Sequence, residues 1–213
     1  MRLLNHEAQE ETRKILSEMR DDVKMILFVS DDGCMYCEDT KQLISEVAEL
    51  SPKLQFEVYN FDFSREKAEY YQVDKVPALI LENKRDYGIR FYGIPSGYEF
   101  GTLLQDLIYV SNLKTDLSPK TLDFIRNHIK QPIHIQVFVT PTCPYCPRAV
   151  LLAHSFALES EYVRADMIEA TEFPDLSRKY RVFGVPKTVI NDRIHIEGAV
   201  PESVFIKKLQ EIL

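Results

Sequence analysis

The 213-residue sequence is poor in glycine, with seven residues where ordinary usage gives about fifteen. No glycine-rich loop that cradles phosphate is present, so the chain is not expected to bind a nucleotide itself. Long apolar runs are also missing. Met25-Ile-Leu-Phe-Val29 is typical of the longest, well short of the roughly 18 residues a membrane helix needs. The first residues, MRLLNHEAQEETRKIL, are charged almost from the start and contain no apolar export signal. A cytoplasmic protein without a membrane partner is the expectation. Positive charge is in deficit, with 26 Lys+Arg against 33 Asp+Glu and a formal net charge of −7. Phosphate backbones need a basic surface, so nucleic acid is not an expected partner. The remainder is an ordinary globular composition, 45% hydrophobic and 28% charged, at a length that suits one or two domains. Low glycine with plentiful charge fits a thermophile protein; chance variation in a helix-rich chain explains it about as well.

The four cysteines are not scattered. Cys34 and Cys37 enclose Met-Tyr, and Cys143 and Cys146 enclose Pro-Tyr. Such spacing permits a reversible disulfide across one turn or half of a zinc site. Paired motifs in zinc ribbons usually lie about 15–20 residues apart. Here the first cysteines are 143 − 34 = 109 residues apart, so redox pairs are the favoured reading and no metal is expected. His6, His128, His134 and His195 show no ligand-like spacing.

The 109-residue offset recurs. Tyr71-Gln-Val-Asp-Lys-Val-Pro77 aligns with Tyr180-Arg-Val-Phe-Gly-Val-Pro186, and 186 − 77 is again 109. Each Cys-x-x-Cys therefore precedes a Val-Pro by 40 residues (77 − 37 and 186 − 146). Met25–Ser30 parallels Ile135–Thr140 with one residue of slippage. Duplication of one domain is the economical explanation. The patterns predict helices over 5–20, after the first cysteine pair, over 64–71 and over 97–112, with strands at 25–30, 54–59, 78–81 and 89–92. The second half repeats this order. Ser118-Pro119 starts a helix, strands follow at 133–140, 162–167 and 187–197, and helices follow Cys143, lie near 174–180 and begin at Pro201. The pause at Ser111-Asn-Leu-Lys-Thr-Asp116 divides the chain into 1–116 and 117–213.

Thiol–disulfide exchange needs one thiolate to attack and a second thiol to resolve. A helix N-terminus favours the thiolate through its unpaired N–H groups and positive dipole end. Cys143 is expected to attack and Cys146 to resolve, with Cys34 and Cys37 as the other pair. Asp31, Asp32, Glu38 and Asp39 flank the first pair and disfavour its thiolate, whereas Arg148 follows the second. Pro147 lacks an N–H, so an irregular first turn is expected after Cys143. If Pro77 and Pro186 are cis, the backbone at Val76 and Val185 is free to pair with a substrate strand beside the disulfide. Tyr36 and Tyr145, inside the motifs, are expected to contact substrate. Lys187 is either solvated or placed for acidic substrate segments. His154 reads as a core histidine, and the helix around Val150–Leu158, apolar on more than one face, as buried between the halves.

Strand, Cys-x-x-Cys, helix and a later Val-Pro together resemble the thioredoxin superfamily. Phe138-Val-Thr-Pro-Thr-Cys-Pro-Tyr-Cys146 looks like a glutaredoxin site, and Tyr180–Pro186 is closer to a thioredoxin proline loop. The tandem arrangement is similar to the protein disulfide oxidoreductases, or glutaredoxin-like proteins, of archaea and thermophilic bacteria. That resemblance covers essentially the whole chain. It implies an α/β fold made of two thioredoxin-like folds in tandem, each a mixed central sheet flanked by helices. It further implies dithiol–disulfide exchange on protein substrates, no bound cofactor, and electrons from a separate flavin-containing thioredoxin reductase. A peroxiredoxin is a further candidate partner. Thioredoxins carry a buried Asp six residues before the first cysteine, but Phe28 and Val137 stand there. Thr140 and Gly198-Ala-Val-Pro201 replace the lysine and Gly-Gly-Asp segment of glutaredoxins, so glutathione binding is not supported. Two rival readings are a non-catalytic binding scaffold and an electron donor dedicated to a peroxidase.

Overall fold

The computed structural model describes residues 2–213. Two strands form its centre because their residues suit burial on both faces. β1 (Val23–Val29) and β5 (Ile133–Val139) are near-continuous apolar runs, exposed only at Lys24 and His134 in part. β1 pairs in parallel with β2 (Leu54–Asn60) and antiparallel with β3 (Ala78–Glu82), which pairs with β4 (Asp86–Tyr92). β5 pairs in parallel with β6 (Val163–Glu169) and antiparallel with β7 (Lys187–Ile190), which pairs with β8 (Ile194–Glu197). The pairing pattern of β1–β4 thus recurs in β5–β8. A parallel junction of β4 with β6 merges these strands into one mixed sheet, β2-β1-β3-β4-β6-β5-β7-β8.

Helices cover both faces of the sheet. Alternation along the strands sends Met25, Leu27 and Val29 to one face and Ile26 and Phe28 to the other. The first face meets α1 (His6–Leu16), α2 (Cys37–Ala48), α4 (Tyr98–Asn112), α5 (Pro119–His128), α6 (Cys146–Glu159) and α8 (Glu202–Leu209). The second face is covered by α3 (Arg65–Tyr70) and α7 (Pro174–Lys179) with Tyr71 and Tyr180. α4 and α6 pack together on the first face. There the fully buried His154 meets Asp106 at 2.5 Å, so His154 is a core histidine and α6 is buried between the halves, as its apolar pattern predicts.

Local chemistry sets most boundaries. Asn5 caps α1 by accepting from the Ala8 N–H at 2.9 Å. Ser118 caps α5 through the Thr121 N–H with Pro119 in the first turn, as expected. α1 ends at Leu16 instead of near Arg20. The Ser111 hydroxyl accepts from the N–H groups of Arg20 and Asp21, and Lys53 Nζ donates to the Met19 and Arg20 carbonyls. Those distant partners take up the backbone that a longer helix would have used. Lys187 is also not solvated. It is 5% exposed on β7, donates to the Arg181 carbonyl at 3.0 Å and pairs with Glu197 at 3.0 Å. Burial of its stem along the sheet, with a carboxylate at its tip, replaces the substrate contact considered for it. No helix among the described residues is long and apolar enough to cross a membrane.

Candidate active site

The C-terminal ends of β1 and β5 point the same way, because β1, β4, β6 and β5 run parallel across the sheet. The loops that leave them carry the cysteine pairs, so both pairs lie on one edge of the molecule. Cys34 and Cys37 form a disulfide, as do Cys143 and Cys146, each with a Cα–Cα distance of 5.5 Å. Four strand spacings separate β1 from β5, about 19 Å in all. No single ion can reach all four sulfurs across that gap, given zinc–sulfur bonds of about 2.3 Å. Among the described residues no cluster of three or more His, Cys, Asp or Glu is placed to hold a metal.

Each pair has an outer and an inner member. Cys34 is half-buried and Cys37 is 1% exposed, while Cys143 is 7% exposed and Cys146 fully buried. The inner cysteines open helices α2 and α6, with Tyr36 and Tyr145 at the capping positions. Cys37 Sγ also accepts from the Ser30 N–H at 3.4 Å, which ties the sulfur to the end of β1. The turn directly after Cys143 is not helical, as expected, and is closed by the Cys146 N–H donating to the Cys143 carbonyl at 3.4 Å. α6 starts at Cys146, three residues beyond Cys143, so Pro147 falls in the first turn, where its missing N–H has no intrahelical partner to lose. The outer cysteines therefore sit just ahead of the helix N-termini.

The Val76–Pro77 and Val185–Pro186 bonds are both cis. Antiparallel register sets Pro77 level with Val29 and Pro186 level with Val139, one step beyond the Phe28–Ala78 and Phe138–Lys187 pairs. Each proline is thus at the strand end whose next turn bears the cysteines. Their carbonyls are held identically, accepting from the Gly93 N–H at 3.0 Å and the Gly198 N–H at 2.8 Å. Val76 and Val185 are half-buried beside them, and Tyr36 and Tyr145 are 37% and 70% exposed. Each cysteine pair thus has a cis-proline of its own at the end of the neighbouring strand and a tyrosine between its two cysteines. The charges differ. Asp31, Asp32, Glu38 and Asp39 are exposed around the first pair. Arg148, in the first turn of α6, lines a groove of about 870 Å³ with α5 and α8.

The absent thioredoxin carboxylate has no substitute on β1 or β5, since Phe28 and Val137 are fully buried apolar residues. Buried carboxyls lie elsewhere in the fold, on elements the spacing gave no reason to connect. Glu99, 1% exposed in the first turn of α4, has its pKa pushed up to about 7 by burial, against smaller opposing effects of Thr102 and His154. α4 is moored to the second site, because the Tyr98 N–H donates to the Pro141 carbonyl at 3.0 Å. Gly97 makes that approach possible: its φ is +60°, and a Cβ there would lie 2.1 Å from the same oxygen. At the edge between the sites, Glu172 accepts from the Ile94 N–H at 2.7 Å, and burial with Glu169 nearby raises its pKa to about 7.

Comparison with known proteins agrees with this geometry. A protein disulfide oxidoreductase of Aeropyrum pernix k1 has the same structure with a TM-score of 0.90, at 32% identity over 95% of this chain and 90% of that one. The chain belongs to the protein disulfide oxidoreductase family, within the thioredoxin fold. The model of the thioredoxin domain matches residues 133–211 of this family member. The family fold also appears in the N-terminal domain of the alkyl hydroperoxide reductase AhpF of Enterococcus faecalis, with a TM-score of 0.88 at 23% identity over 96% of this chain and 98% of that one. An alkyl hydroperoxide reductase chain of the same AhpF kind, from Staphylococcus aureus, is 22% identical over 97% of this chain. The chain spans 38% of the length of that curated relative.

Proposed function

We propose that the chain is two thioredoxin-like units in tandem, 1–116 and 117–213, each exchanging its disulfide with the disulfides or dithiols of protein substrates. One observation carries the reading. Twice, a disulfide lies between the end of a central strand, the N-terminus of a helix and a cis-proline. In the reducing direction, the thiolate of Cys143 or Cys34 attacks one sulfur of the substrate disulfide. A mixed disulfide forms and the other substrate sulfur leaves as thiolate, taking a proton. Cys146 or Cys37 then attacks the mixed disulfide, restores the internal bond and releases the second substrate thiol. Two electrons and two protons pass in total, and the oxidising direction is the reverse. The outer cysteines attack because each is less buried than its partner and stands just ahead of a helix N-terminus, which favours the thiolate. The backbone at Val76-Pro77 and Val185-Pro186 pairs with the substrate strand, while Tyr36 and Tyr145 contact it.

The chain works in the cytoplasm without a bound cofactor. A separate flavin-containing thioredoxin reductase renews the dithiols. Delivery to a peroxidase of the peroxiredoxin class is the second reading, supported by the names of the relatives that share the fold. Dithiothreitol-driven reduction of insulin disulfides tests the first. Replacing both Cys34 and Cys143 with Ser should abolish turnover, and unchanged turnover would leave only a binding scaffold. Single replacements distinguish partial loss at independent sites from near-total loss in a relay.

A further inference from the structure

The two sites share a frame but differ in charge and in the residue three places before the cis-proline, although Met35, 85% exposed between Cys34 and Cys37, gives the first an apolar side chain as well. Three residues before cis-Pro77 stands Asp74, with 71% of its side chain exposed. Lys75 beside it is largely covered, pairs with Asp74 and lies 3.7 Å over the Tyr92 ring. At the equivalent place before cis-Pro186 stands Phe183, 95% exposed, followed by Gly184. The contrast extends to the cysteine loops. Exposed Asp31, Asp32, Glu38 and Asp39 surround the first disulfide, with Lys41 near Glu38 at 3.8 Å as partial compensation. The second disulfide has no carboxylate within 140–148 or 181–186. Its rim includes Phe183, Tyr145 at 70% exposure and Tyr98 at 54%, the last tied to Pro141, together with the exposed Arg148 and Arg181.

A phenylalanine so fully in water packs against nothing in its own fold, yet it adjoins the backbone where a substrate strand would lie. Burying even half of such a ring against a partner is worth about tenfold in affinity. Carboxylates around a docking strand attract cations and repel anions, with a strength that salt removes.

Resting on the exchange reaction proposed above, we propose that the two sites select different protein disulfides. The Cys34–Cys37 site takes those flanked by lysine or arginine. The Cys143–Cys146 site takes those flanked by large apolar side chains, with Phe183 as the residue that sets the preference.

Two disulfide-bridged peptides of equal length serve as probes, one with lysine and one with leucine beside each cysteine. In each turnover dithiothreitol closes to its ring disulfide and passes two electrons and two protons through one site to the peptide. Chains retaining one site are made by replacing the other pair with serine. About tenfold higher kcat/KM for the lysine peptide at the first site, and for the leucine peptide at the second, is expected. The first preference should fade as NaCl rises from about 0.05 to about 1 M, while the second persists. At the second site Phe183→Asp should raise KM for the leucine peptide about tenfold with kcat held, and Phe183→Leu should keep it. Should a serine pair impair folding, Phe183→Asp in the intact chain gives the same reading. One shared ranking at both sites, or a KM insensitive to Phe183→Asp, overturns the selectivity while leaving exchange intact. No turnover of either peptide at either site overturns both proposals.

Discussion

Replacing Glu99 with Gln isolates the energetic effect of an acid held in the seam between α4 and α6. The folded pKa of Glu99 is about 7, against an ordinary 4.5. The folded state therefore binds this proton more tightly than the unfolded chain does. Stability from the group is fully present below about pH 4.5 and is lost as pH rises through about 7. A shift of about 2.5 units at about 1.36 kcal/mol each gives roughly 3 kcal/mol. Because the residue is 1% exposed, solvent screening removes little of it. Glutamine keeps the shape and carries no titrating proton. Urea unfolding of both proteins with disulfides intact, from about pH 4.5 to 8.5, gives the stability difference directly. The Glu99→Gln variant should gain about 3 kcal/mol on its parent between those limits, equivalent to about 6–12 °C in Tm for a chain of this size. Subtraction cancels the other acids, including Glu172. A difference that stays flat across pH refutes the assignment of a buried, neutral Glu99.

Three further outcomes are expected. His154→Leu leaves Asp106 buried without its 2.5 Å partner and should cost about 3–5 kcal/mol in denaturant unfolding, much of it recovered in the double variant with Asp106→Leu. Gly97→Ala forces a Cβ toward the Pro141 carbonyl at a φ of +60°, so it should lower stability by more than about 2 kcal/mol and slow exchange at Cys143–Cys146 more than at Cys34–Cys37. In the reduced protein, alkylation rates against pH should give Cys143 a lower apparent pKa than Cys34, since carboxylates flank only the first motif; the opposite order reverses the roles.

Much of the site is legible in the sequence because its parts repeat. The 109-residue offset ties each cysteine pair to its own Val-Pro, and local signals such as Asn5 and Ser118-Pro119 mark helix starts without outside help. The less legible features depend on partners far away in sequence. α1 stops early because Ser111 and Lys53 bind the backbone that follows it. Lys187 is hidden because a sheet neighbour supplies Glu197. Glu99 looks like any exposed acid in a first helical turn, yet it is 1% exposed on α4, a helix that packs on α6 and is moored at Pro141. Nor does any periodicity announce that β4 will pair with β6.

That junction changes how the molecule meets others of its kind. Four strand edges would exist if the two sheets stood apart, and each unpaired edge is a template for another chain. Joining Ile89–Tyr92 to Ala165–Ile168 hides two of them, including the apolar Phe91 and Met167. Among the described residues only β2 and β8 remain as outer edges. β8 is four residues long, and β2 carries Glu57 on its run, both features that discourage edge-to-edge growth. Without that junction β4 and β6 would each present a free edge of the kind that templates another chain.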